Sequence, residues 1–242
     1  MELTVLGCSG SYASDELGPC SGYLLRDGAT TIWMDSGNGT FVNLQRHVEP
    51  GELTAVVLTH EHPDHCADLY SLHVMLRYGL GQQGLEVYAP RGAEQHLGAL
   101  VSTWADAFVW HELEDGSTAR VGAVDLRFSR TDHPPPTFAV EATSPAGRMI
   151  YTSDTGPEWT VDAFDRGADF VLSEASYLHD ERHTAMHLSA RQAGEAARAA
   201  GARRLMLTHL WPRVERKRSV AEGSDAFGAE VLLAEPHAQI AV

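Results

Sequence analysis

The stretch His60-Glu61-His62-Pro63-Asp64-His65 packs three imidazoles and a carboxylate into six residues. It follows Ala55-Val56-Val57-Leu58-Thr59, an apolar, β-branched run that reads as a buried strand. Four metal-competent side chains therefore sit at the C-terminal end of one strand. On a tight turn, His60 and His62 point one way while Asp64 and His65 point the other. That division suits two metal ions a few Å apart, each served by its own pair. The competing reading is a solvated loop rich in histidine, which the position directly after a core strand argues against.

Three later stretches repeat the arrangement. His133 follows the strand 126–131 and is fixed by Pro134-Pro135-Pro136; Asp154 follows Met149-Ile150-Tyr151-Thr152; His209 follows Arg204-Leu205-Met206-Leu207-Thr208. Taken singly, His133 also reads as a capped strand end and Asp154 as a turn residue. Together they gain force, because strand C-terminal ends gather at one edge of a layered α/β fold. Counted as ligands, His60, His62 and His133 suit one ion. Asp64, His65 and His209 suit the second, and Asp154 is placed to bridge both. Imidazole with carboxylate favours Zn²⁺, with Mn²⁺ or Fe tolerated. Two dications against two carboxylates leave about +2, and a bridging hydroxide leaves about +1, enough to attract a phosphodiester anion.

The elements that must position these residues read as one α/β domain over 1–242. Residues 2–7, 22–26, 30–34, 85–89, 118–130, 137–143, 147–151, 169–174 and 230–242 carry strand patterns, with hairpin turns at Asp27-Gly28 and Pro145-Ala146-Gly147. Helical spacing marks 67–79, 91–103, 189–200 and 214–228; Ser189 caps the third of these and Gly201 stops it. His73 lies on the apolar stripe of its helix and reads as a packed core histidine. The aromatic run Trp104–Trp110 reads mainly as core or as a subunit contact, with a substrate wall as the lesser alternative. Asp35-Ser36-Gly37-Asn38-Gly39-Thr40 lacks the lysine of a P-loop and reads as a strand-to-helix connection.

A formal net charge of −15 opposes non-specific binding to nucleic acid or anionic membrane. Three cysteines, Cys8, Cys20 and Cys66, form no CxxC pair and fit a reducing compartment. No apolar run approaches a membrane span, and Met1-Glu2-Leu3-Thr4-Val5 reads as a strand rather than a signal peptide. The expectation is a cytoplasmic enzyme with no membrane partner.

The six-residue stretch matches the HxHxDH signature of the metallo-β-lactamase superfamily, with His133, Asp154 and His209 in the family order. The resemblance covers nearly the whole chain and implies a four-layer αββα sandwich. The RNase Z-like branch is the more similar one: Asp35–Thr40 resembles its DxGxGT turn, with Asn38 where a glutamate is usual. Ser173-Glu174-Ala175, His187-Leu188-Ser189 and Leu207-Thr208-His209-Leu210 resemble it too. The resemblance implies that His187 faces the scissile phosphate and protonates the leaving oxygen or stabilises the phosphate, whereas on position alone it also reads as a helix-start residue beside the Ser189 cap. Glu174 would orient His187, Asp64 would take a proton from the attacking water as well as bind metal, and Asp35 would hold the ligand loop from behind. His179 and His183 match no motif position and read as surface residues of a loop.

Enzymes of that branch that process tRNA usually carry a protruding Gly/Pro-rich arm between the equivalents of Asp154 and His187. Here residues 156–184 hold a strand and a short polar loop with no basic insertion. The missing arm and the acidic charge both argue against tRNA. The opening Val5-Leu6-Gly7-Cys8-Ser9-Gly10-Ser11 is similar to compact, arm-less cyclic-nucleotide phosphodiesterases of actinobacterial type. The favoured expectation is hydrolysis of a small cyclic phosphodiester such as cAMP, with two Zn²⁺. The rivals are a tRNA 3′ endonuclease using Arg213, Arg216, Lys217 and Arg218, a lactonase, sulfatase or β-lactamase, and a non-catalytic metal-binding domain. A homodimer is common in this branch.

Overall fold

Period-two alternation along the strands sends neighbouring apolar side chains to opposite faces. In the computed structural model, which describes residues 1–101, 103–181 and 186–242, that alternation builds the layers. The first sheet is formed by β1 (Glu2–Gly7), β2 (Gly22–Asp27), β3 (Thr30–Ser36), β4 (Ala55–Val57), β5 (Leu85–Pro90) and β6 (Phe108–Leu113). The second runs through β7 (Thr118–Val121), β8 (Val124–Arg130), β9 (Phe138–Ser144), β10 (Gly147–Tyr151), β11 (Phe170–Glu174), β12 (Leu205–Thr208) and β13 (Leu232–Leu233). The last strand, β14 (Gln239–Ala241), returns to pair with β1. The spatial orders are β14-β1-β2-β3-β4-β5-β6 and β13-β12-β11-β10-β9-β8-β7. The β3–β6 and β10–β13 runs are parallel, and the remaining pairs are antiparallel.

Leu3, Val5, Tyr23, Leu25, Ile32, Met34 and Val57 face Leu126, Phe128, Val140, Met149, Tyr151, Phe170 and Leu172 across the space between the sheets. The alternate residues Leu6, Leu24, Trp33, Val56 and Leu58 turn outward and are covered by helices. Those helices are α1 (Thr40–Leu44), α2 (Pro63–Cys66), α3 (Leu69–Val74), α4 (Ala93–Gly98) and α5 (Trp104–Ala107). On the far side, Ile150, Val171, Leu205 and Leu207 pack under α6 (Ala190–Ala199) and α7 (Arg216–Phe227). The result is the expected αββα sandwich.

Local differences from the sequence reading have local causes. The helix expected over 67–79 is α for Leu69–Val74 and then π-helical over Met75–Leu80, closed by Gly81 in the left-handed region. The helix expected over 91–103 is confined to α4, and the aromatic run splits into α5 and the edge strand β6. Trp104, Ala107 and Phe108 are buried in the first helical layer and form the core part of that run, whereas Val109 is exposed. His73 is buried as expected, its Nε2 3.2 Å from the Thr103 carbonyl oxygen. α6 starts on a reciprocal capping box, with Ser189 Oγ accepting from the Gln192 N–H and the Gln192 side chain accepting from the Ser189 N–H.

Candidate metal centre

Parallel strands bring their C-terminal ends to one edge, and the candidate ligands follow from it. His60 leaves β4, Asp154 leaves β10, His209 leaves β12, and His133 lies just beyond β8. Three strand-end residues, Asp35 (φ 55°), Ser153 (φ 53°) and His209 (φ 53°), occupy the left-handed region. That conformation is costly for residues other than glycine and turns the chain sharply into the site. The HxHxDH stretch is not one tight turn throughout. Pro63 opens the short helix α2, its fixed φ suiting a first helical position, so Asp64 and His65 project from a helical turn.

Three groups of ligand atoms result, two that share no residue and a third, Asp154, His187 and His209, that overlaps both. His60, His62, His133 and Asp154 form the first, and Asp64, His65 and His209 form the second; within each, the atoms lie within 4.8 Å of one another. His62 Nδ1 is 3.1 Å from His60 Nε2 and 3.4 Å from His133 Nε2. His209 Nε2 lies 3.3 Å from Asp64 Oδ2, and His65 Nε2 lies 3.6 Å from the same oxygen. Asp154 divides its carboxylate between the groups. Oδ2 is 3.7 Å from His60 Nε2, while Oδ1 is 3.3 Å from His65 Nε2 and 3.5 Å from His209 Nε2.

The far nitrogen of four of these rings is engaged. His65 Nδ1 donates to Asp35 Oδ2 (2.8 Å) and His133 Nδ1 to the Met186 carbonyl (3.0 Å). His60 Nδ1 meets Thr59 Oγ1 (3.1 Å) and His209 Nδ1 meets Ser176 Oγ (3.0 Å). A ring that donates Nδ1–H keeps a lone pair on Nε2, the atom turned inward. Asp35 also accepts the Thr59 N–H, the Thr59 hydroxyl and the Tyr151 hydroxyl, at 2.8, 2.9 and 2.8 Å. Glu174 is fully buried. Its Oε1 accepts from His187 Nδ1 (2.9 Å) and the Thr155 N–H (2.7 Å), and its Oε2 accepts the Ser176 hydroxyl (2.8 Å). Ser176, Tyr151 and the Met186 carbonyl went unnoticed in the sequence, where no spacing marks them.

The residues fit cations. His65 Nε2 and Asp154 Oδ1 are buried and make no hydrogen bond. An imidazole lone pair and a carboxylate oxygen facing one another in a dry site need a positive charge near both. Burial lowers the pKa of His65, but the carboxylates of Asp154, Asp64 and Asp35 outweigh it and hold the ring well above its ordinary value, so a proton on the ring supplies that positive charge wherever a metal ion does not. Burial would raise Asp154, yet His209 and His65 hold it well below the usual carboxylate range. His60, by contrast, is pushed well down by burial and by the neighbouring His65 ring, which keeps it neutral. Burial also lowers His187, but Glu174 and Asp154 carry it up to about 9.

Glycines let the backbone close on this centre. A Cβ at Gly37 would overlap the Asp64 carbonyl oxygen, and one at Gly10 would press on His209. The Asp35–Thr40 turn thus buttresses the ligand loop and starts α1 at Gly39. His179 departs from the expected surface loop. It is half-buried, with Nδ1 3.1 Å from Ser189 Oγ and its N–H donating to Glu222. His183 lies outside the described residues.

Comparison with known proteins agrees with this architecture. A family model described as "Beta-lactamase superfamily domain" matches residues 30–210. An uncharacterised protein of Mycobacterium tuberculosis is 35% identical over 96% of this chain and 88% of its own length. The "Probable metallo-hydrolase YhfI" of Bacillus subtilis is 31% identical over 87% of each. The crystal structure of that protein, titled as a metallo-β-lactamase fold protein, superposes with a TM-score of 0.89 at 26% identity, covering 99% of this chain and 98% of the other. A protein named ribonuclease Z from Kineococcus radiotolerans is 30% identical over 95% of this chain and 90% of its own; that alignment runs over 290 positions against the 242 residues here. The chain belongs to the β-lactamase superfamily, among its RNase Z-related metallo-hydrolases.

Proposed function

We propose that the protein hydrolyses a small phosphodiester, with a cyclic nucleotide such as cAMP as the substrate type, to the corresponding monoester. The observation that carries this reading is the split carboxylate of Asp154, each oxygen turned to a different group of inward nitrogens. His60, His62, His133 and Asp154 would hold one divalent ion, and Asp64, His65, His209 and Asp154 the other, with Zn²⁺ favoured by the donor set. Bound there, the ions would acidify a water and neutralise charge on the phosphoryl oxygens.

The chain supplies the rest. Asp64 is held by the Ser11 N–H at 2.9 Å and is placed to take the proton of the attacking water. His187, with Nδ1 engaged by Glu174, keeps Nε2 for the leaving oxygen and donates a proton to it as the P–O bond breaks. Water adds across that bond, so a cyclic diester opens to a monoester and a hydroxyl.

Compactness favours a small substrate. The ribonuclease Z alignment is longer than this chain, so that relative carries segments this chain lacks, whereas the M. tuberculosis alignment spans 243 positions. Of the four basic residues that a tRNA reading would use, two pair with acids: Arg216 with Glu235 at 3.1 Å and Arg218 with Asp180 at 2.9 Å. Three free, buried cysteines suit a reducing cytoplasm. Among the described residues no helix is long and apolar enough to cross a membrane.

The test is turnover of bis-p-nitrophenyl phosphate, cAMP and an unprocessed tRNA, side by side, by metal-loaded protein. Hydrolysis of the first two without tRNA cleavage is the expected result. Cleavage of tRNA would overturn the reading of the missing arm. Metal binding without any diester turnover would move the activity to carboxylic or sulfate esters.

A further inference from the structure

A ladder of aromatic rings leads away from the Asp64–His209 side of the centre. His187 and His209 stack at 5.3 Å between ring centroids, and Tyr177 meets His187 edge-on at 5.9 Å. Trp211 lies 6.1 Å from Tyr177, and Tyr12 meets Trp211 at 5.9 Å with an interplanar angle of 87°. The far end of the ladder is open: Tyr12 is 45% exposed.

That open end is itself tied to the candidate ligands by main chain. The Ser11 N–H that holds Asp64 Oδ2 belongs to the residue before Tyr12. Trp211 lies two residues after His209, and its N–H donates to the carbonyl of Ser176, whose hydroxyl meets His209 Nδ1. The Gly10 N–H donates to the Leu210 carbonyl at 2.9 Å, so the two loops bearing Tyr12 and Trp211 are fastened together. A Cβ at Gly10 would press on His209, which keeps that junction close.

We propose that Tyr12 and Trp211 form a stacking corner for the nucleobase of the phosphodiester, beside the Asp64–His209 half of the centre. The proposal rests on the phosphodiester reading above and deepens it to a nucleoside substrate. Two rings nearly at right angles offer a flat base one face to lie on and a second ring to meet at its edge, both favourable aromatic geometries. Stacking tolerates any base, because each has a π-face. It also suits an acidic chain, since a neutral base is attracted by dispersion and needs no surface cation.

The experiment compares cAMP with its abasic counterpart, 1-deoxyribose 3,5-cyclic phosphate, which keeps the 2-hydroxyl and lacks only the base. Wild-type protein is expected to favour cAMP by about tenfold in kcat/KM. Tyr12→Ala should bring that ratio close to one, Tyr12→Phe should restore it, and Trp211→Phe should reduce it less than Tyr12→Ala does. An unaltered preference in Tyr12→Ala, or no preference in the wild type, overturns the corner. If neither diester turns over, the phosphodiester reading fails on its own, and calorimetry decides the corner separately. Adenosine 5′-monophosphate should then bind more tightly than ribose 5-phosphate in the wild type, with the difference lost in Tyr12→Ala. Equal binding of the two would again overturn the corner.

Discussion

Asp154 Oδ1 and His65 Nε2 lie 3.3 Å apart, both buried, with no hydrogen bond to either atom. With the Nδ1–H of His65 given to Asp35, a neutral ring would set two lone pairs face to face, so the pair demands a positive charge, as a proton on the ring or as a metal ion. Asp154 meets the same demand on its other side, where Oδ2 faces His60.

Removing that shared carboxylate should therefore affect both halves of the centre. Asp154→Ala is expected to lose both ions, or to retain one weakly, as read by metal analysis after gel filtration. Metal content near that of the wild type would sink the bridging role.

His187 should separate from the ligands in the same assay. Its ring is held by Glu174, and the proposed mechanism gives it a part in the reaction and none in holding the cations. His187→Ala is expected to keep its metal and lose about 10²–10⁴-fold in kcat, the usual span for a positioned acid or base. Full activity would return this histidine to a structural part at the start of α6.

Gly37 carries a packing prediction. An alanine methyl would meet the Asp64 carbonyl oxygen, and that carbonyl also accepts the Ser21 N–H at 3.2 Å, so the ligand loop cannot retreat cheaply. Gly37→Ala should cost about 1–3 kcal/mol in urea unfolding, the usual range for overpacking, and should weaken metal binding with it. A variant as stable as the wild type would show that the turn yields.

The cysteines set a pH dependence. Burial, their largest influence, pushes Cys8, Cys20 and Cys66 from an ordinary value of 9.0 up to about 12. Above pH 9 the unfolded chain loses these protons first and the folded chain keeps them. Stability is therefore full below pH 9 and falls as pH rises towards 12, by up to about 1.4 kcal/mol per pH unit for each thiol. Urea midpoints at pH 8 and pH 10 measure it, and no difference between Cys→Ala variants and wild type would refute it. The same burial predicts slow reaction with Ellman's reagent until the protein unfolds.

The candidate ligand types, their order and the strand ends that carry them are legible in the sequence. Such features are local: a β-branched run followed by HxHxDH is legible wherever it occurs, and so is Ser189-x-x-Gln192 before a helix. Period-two alternation likewise marked two faces per strand, whereas the four-layer sandwich was implied by the resemblance to the superfamily. The resemblance implied Asp35 behind the ligand loop, but tertiary structure alone decided the other groups that stand behind the candidate ligands. Ser176 reaches His209 across 33 positions, Tyr151 reaches Asp35 across 116, and the Ser11 N–H reaches Asp64 across 53. A hydroxyl or a main-chain N–H carries no sequence signal of its own, because nearly every stretch has one. Its meaning comes from where the chain happens to cross, and that is set by sheet order and by close approaches at glycines such as Gly10 and Gly37. The division of Asp154 between two groups is of the same kind. A sequence can offer a carboxylate at a strand end, but only packed neighbours on both sides aim its two oxygens at different partners.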